Sequence, residues 1–159
     1  MLAPGAYYPR YLKNNNIDKI KDGKINMTWN GCLIALPWYY YRYYGIPVYI
    51  KRYYNKLKRL YTEYLQQCGE AVPGGTFGDW CAPNDYGNYL TSFSSVSETE
   101  YHLKFLNAEM MADMANALRK REDAAYFKAV AKKTAAKYVQ CFYNKEKGTF
   151  SNGKQAPNL

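Results

Sequence analysis

A chain of 159 residues suffices for one domain with a sizeable core, and it holds no run of about 18 apolar residues that would span a membrane. Lys and Arg number 22 against 13 Asp and Glu, a formal charge of +9. The basic residues fall in separate clusters, Lys51 to Arg59, Arg119 to Arg121 and Lys128 to Lys137. Their spacing fits solvated faces of different helices, which argues against a nucleic-acid stripe.

The four cysteines, Cys32, Cys68, Cys81 and Cys141, form no CxxC pair and have no His at ligand spacing. They read as reduced thiols, and neither a metal site nor a cofactor is implied. Met1 to Arg10 lacks the charged start and apolar run of a secretory signal, which leaves the compartment open. Tyrosine is the dominant residue, at 19 positions. A flat apolar ring with a polar tip suits core edges, and equally wet clefts and sugar platforms.

In chain order, residues 1–28 carry Pro4, Pro9, three consecutive Asn and weak periodicity, and are expected to be an irregular lead-in. An apolar helix is predicted from Gly31 to Tyr44, with Pro37 beginning or kinking it. Gly45 and Pro47 mark its end and the next start. From Pro47 to about Gln67, Ile50, Tyr53, Leu57, Tyr61 and Tyr64 recur every three or four positions, which predicts the second helix of a hairpin. Gly69 to Ser94, rich in Gly and Pro, is long for a connection between helices, and long ordered loops tend to carry function.

Ser95 with Glu98, and Ser97 with Glu100, both fit a capping box and predict a helix start. Two apolar rows follow, one through Tyr101, Phe105, Ala108, Ala112 and Ala115, the other through Leu103, Leu106, Met110, Met114 and Ala117. A helix apolar on two sides belongs to an inner layer. Glu122 and Asp123 open a fourth helix whose apolar face is marked by Phe127, Val130, Thr134, Tyr138 and Cys141. The run beyond Tyr143 is turn-like, and the chain stops at Leu159 in the manner of a cut. The fold class is all-α, two hairpins joined by one long loop.

Two segments carry a resemblance. WNGCLIALPWYYYRYYG, Trp29 to Gly45, is similar to the W-G-D-A, apolar run, P-W and Tyr-rich helix of bacterial family-78 glycoside hydrolases, the α-L-rhamnosidases. TFGDWCAPN, Thr76 to Asn84, resembles their G-D-W loop, and Thr99 and Tyr101 the T-x-Y helix start that follows. EDAAYF and GTFSNGKQAPNL add a weaker similarity. The resemblance implies that residues 29–159 are part of a catalytic domain, two successive α-hairpins of an (α/α)6 six-hairpin glycosidase toroid, incomplete. It implies a carbohydrate partner, a rhamnose-containing glycoside cleaved by inversion in the full-length parent. Gly31 stands where the family usually has Asp, and Arg119 where Gly is usual.

An inverting glycosidase needs two carboxyl groups roughly 6.5–9.5 Å apart. The family's acidic D-E-R-x-G-W-x-G-D stretch and its later W-E segment have no counterpart here, so no catalytic residue is assigned and the chain alone is expected to be inactive. Asp18 and Asp22 fall in the lead-in, while Glu63, Glu109, Asp113, Glu122 and Asp123 read as solvated. Asp79 and Trp80 are the leading substrate-binding candidates, Asp79 bonding a sugar hydroxyl and Trp80 stacking on the ring; the plainer role for Asp79 is to cap a turn. Trp29 and Tyr101 complete the set, and Trp38 reads as core. His102 reads as a surface residue. Two other functions fit the sequence: an (α/α)6 enzyme with a different sugar, and a basic helical module binding an acidic partner through the Lys51–Arg59 and Lys128–Lys137 faces.

Overall fold

The computed structural model describes residues 25, 27–69 and 95–151. Among these, a short helix α1 (Met27–Asn30) runs into α2 (Cys32–Tyr44) and α3 (Val48–Cys68), and α4 (Val96–Ala117) pairs with α5 (Arg121–Phe142). Two residues each of β1 (Tyr143–Asn144) and β2 (Thr149–Phe150) close the described chain as an antiparallel hairpin. None of the described helices is long and apolar enough to cross a membrane.

The helix boundaries follow from local chemistry. Gly45, at φ 68°, ends α2 in the left-handed conformation that needs no Cβ, and its N–H donates to Tyr41 O. Pro37 lies inside α2, where its missing N–H removes one bond without ending the helix. Ser95 caps α4: its Oγ accepts from Glu98 N, and the Glu98 carboxylate accepts from Ser95 N. The second candidate box does not form, because Ser97 is already inside the helix that Ser95 caps. The α4–α5 turn is a Schellman motif in which Lys120 N donates to Ala115 O and Arg119 N to Asn116 O.

Helix α4 sits at the centre. It packs most extensively along α5 and also touches α1, α2 and α3. Only Ser97, His102 and Asn116 of its described side chains are exposed, in keeping with two apolar rows. The core joins Ala108, Met111, Ala112, Met114 and Ala115 of α4 to Ile50, Tyr54, Leu57, Leu60, Tyr61 and Tyr64 of α3 and to Phe127 and Ala131 of α5.

Four expectations change. Ile25 and Met27, placed in the irregular lead-in, are buried, and Ile25 N donates to Gln67 Oε1 at the end of α3. The inward tyrosine on the first turns of α3 is Tyr54, four residues from Ile50, while Tyr53 is half-buried beneath the Arg52 guanidinium. Cys141 is exposed, because the inward face of α5 passes through Ala124, Phe127, Ala131 and Thr134. The turn-like run after Tyr143 begins with the hairpin, whose turn is held by Asn144 Oδ1 accepting from Glu146 N and Lys147 N, with Gly148 at φ 63°.

Two backbone positions invite opposite substitutions. Arg119 adopts φ 58° at the residue after a helix C-cap, where Gly is favoured. Arg119→Gly should therefore raise stability by about 1 kcal/mol. A Cβ on Gly31 would lie 2.5 Å from Met27 O and 3.1 Å from Asn107 Nδ2, so Gly31→Ala should lower stability by about 1–3 kcal/mol. Urea denaturation of both variants beside the parent chain checks the two signs.

Candidate functional site

Buried polar residues on α4 organise one end of the unit, where α3 finishes and α4 begins. Glu100 is fully buried, and the Tyr64 hydroxyl donates to its Oε2 at 3.1 Å. One turn later Lys104 is 7% exposed, and its backbone carbonyl accepts from the Tyr61 hydroxyl. Burial, reinforced by neighbouring Cys68 and Glu100, pushes the Tyr64 phenol far above its usual range. Burial raises the Cys68 thiol as well. These groups form a neutral-phenol and carboxylate network, low in reactivity.

Above this network lies a surface cleft of about 240 Å³ between α3, α4 and α5. Among the described residues, Leu65, Tyr101, Lys104, Tyr126, Lys133 and Lys137 contribute to its walls, and the charged ones are lysines. Gly69, where α3 ends, also borders it.

The opposite end, around the α4–α5 turn, holds Asp113 and Asp123. Trp38 Nε1 donates to Asp113 Oδ2 at 3.2 Å, the Arg42 guanidinium lies 3.8 Å from the same oxygen, and Arg42 also covers the Trp38 ring. Asp123 accepts from Tyr54 at 2.9 Å and from Lys58 at 2.6 Å. Burial alone would raise the Asp123 carboxyl, but the Lys58 and Tyr54 hydrogen bonds and the Lys58 and Lys120 charges hold it below its usual value. Lys128 pairs with Glu109, and Arg59 with Glu63. Four acids expected on solvated faces thus each meet a cation.

The sequence-derived candidates separate. Asp79 and Trp80 lie outside the described residues. Trp29 is half-buried on α1, and its carbonyl accepts from Cys32 Sγ at 2.8 Å. Tyr101 is 7% exposed, edge-on to Phe142 with ring centroids 5.8 Å apart, and only its rim reaches the cleft. Trp29 and Tyr101 are not brought together: the α1–α2 junction rests on Asn107, six residues along α4 from Tyr101, a rise of about 9 Å. His102 is exposed. Among the described residues no three His, Cys, Asp or Glu gather as a metal site. Trp38 packs on the core as expected, with its indole N–H bonded to Asp113. Glu100 was missed as a buried acid, because its spacing from Ser97 fits a cap equally well and Tyr64 is 36 residues away.

Over residues 5–159 the chain matches the family described as the bacterial alpha-L-rhamnosidase 6 hairpin glycosidase domain. The chain belongs to this family. It is 33% identical over 84 residues to an alpha-L-rhamnosidase of Formosa agariphila, across 52% of this chain and 8% of that relative. The structure of an alpha-L-rhamnosidase from Dictyoglumus thermophilum matches with a TM-score of 0.66 at 24% identity, over 76% of this chain and 13% of that one. The rhamnosidase-family unit therefore spans a small part of the relatives it matches. Its α2–α3 and α4–α5 pairs are hairpins of the six-hairpin all-α fold.

Two measurements test this polar framework. Tyr64→Phe removes the hydroxyl that donates to buried Glu100 and should destabilise by about 1–3 kcal/mol, whereas Tyr53→Phe should leave urea denaturation unchanged. Asp123→Asn should lose about 1–2 kcal/mol at pH 7. A folded-state pKa below the unfolded value gives stability that is present above about pH 4 and lost as pH falls through the folded value. The gap between parent and Asp123→Asn should therefore shrink steadily below pH 4.

Proposed function

We propose that the protein to which this domain belongs releases terminal α-L-rhamnose from glycosides with inversion, and that this chain supplies framework and sugar contacts, not the acid and base. The single observation that carries the reading is the family match from residue 5 to residue 159. The carboxyl inventory supports the division of labour. Among the described residues Glu63, Glu109, Asp113 and Asp123 meet cations, Glu98 caps α4, and Glu100 is buried against Tyr64. None of these is placed to protonate a leaving oxygen while a partner activates water. Within residues 70–94 we assign Asp79 to a sugar hydroxyl and Trp80 to the apolar face of the ring, with Trp29 and Tyr101 as lesser contributors.

The outward side of α2 supports a place in a larger ring of helices. Leu36, Tyr39, Tyr43 and Tyr44 are exposed, and Tyr39 stacks on Tyr43 with centroids 6.1 Å apart. Apolar rings in such density on one side of a helix fit a surface that neighbouring hairpins cover.

The 159-residue chain should show no turnover of p-nitrophenyl α-L-rhamnoside above buffer. The full-length parent should cleave it, with the β-anomer of rhamnose appearing first by NMR. Hydrolysis by the isolated chain that disappears on changing one internal Asp or Glu overturns the division of labour. A parent that ignores the rhamnoside but cleaves another aryl glycoside overturns the sugar.

A further inference from the structure

We draw no further inference here: the strongest candidate, the exposed aromatic face of α2 through Leu36, Tyr39, Tyr43 and Tyr44, belongs to the ring of helices already proposed, and nothing among the described residues shows what covers it.

Discussion

The burial of α4 is the constraint on which the other features depend. A helix enclosed by α1, α2, α3 and α5 must find partners for its polar groups among those neighbours or its own backbone, and among the described residues it does so for most of them, with Glu98 Oε1 and Asn107 Oδ1 left without a hydrogen bond. Glu98 turns back to cap its own N-terminus, Glu100 takes the Tyr64 hydroxyl, the Lys104 carbonyl takes the Tyr61 hydroxyl, and Asn107 Nδ2 donates to Leu103 O. Tyr54, Tyr61 and Tyr64 of α3 are therefore more than bulk. Each buries a ring in the core while its hydroxyl answers a polar group on another helix, a combination that Phe or Leu cannot supply.

The same burial gives the unit two chemically different ends. Around the α4–α5 turn, carboxylates stand against Arg42, Lys58 and Lys120, and the helices are fastened by charge-assisted bonds. At the other end, where α3 finishes and α4 starts, Glu98 caps α4, Glu100 turns inward to Tyr64, and Lys104, Lys133 and Lys137 border a cleft. Residues 70–94 join the chain at this second end, between Gly69 and Ser95. The Asp113 and Asp123 ion pairs thus stand at the end away from the Tyr64–Glu100 network.

What was legible in the sequence was local. Gly45 and the Ser95–Glu98 pair fixed helix ends because each depends on residues within one turn. The inner position of α4 followed from apolar residues on two sides. Whatever depended on partners distant in sequence was hidden. Tyr53 and Tyr54 are equivalent in composition, and only Asp123, 69 residues further on, selects Tyr54 for burial. Asp113 looked like any exposed helical acid, because Trp38 and Arg42 reach it from another hairpin. The +9 charge pointed outward correctly for most lysines and missed the gathering of Lys104, Lys133 and Lys137, which arises only when α4 and α5 lie side by side.

Gly31 shows how close packing limits what one position can carry. Here the junction of α1 and α2 lies so close to α4 that even a methyl group would meet the Met27 carbonyl and the Asn107 amide. Gly31 N still donates to Met27 O, and Gly31 O accepts from Ile34 N and Ala35 N, so the backbone turn from α1 to α2 is kept. An aspartate would bring a charge beside Asn107, whose Nδ2 is already bonded to Leu103 O. Close approach of the helices at Gly31 thus excludes a side chain there, and the contact of α1 and α2 with α4 is backbone against Asn107.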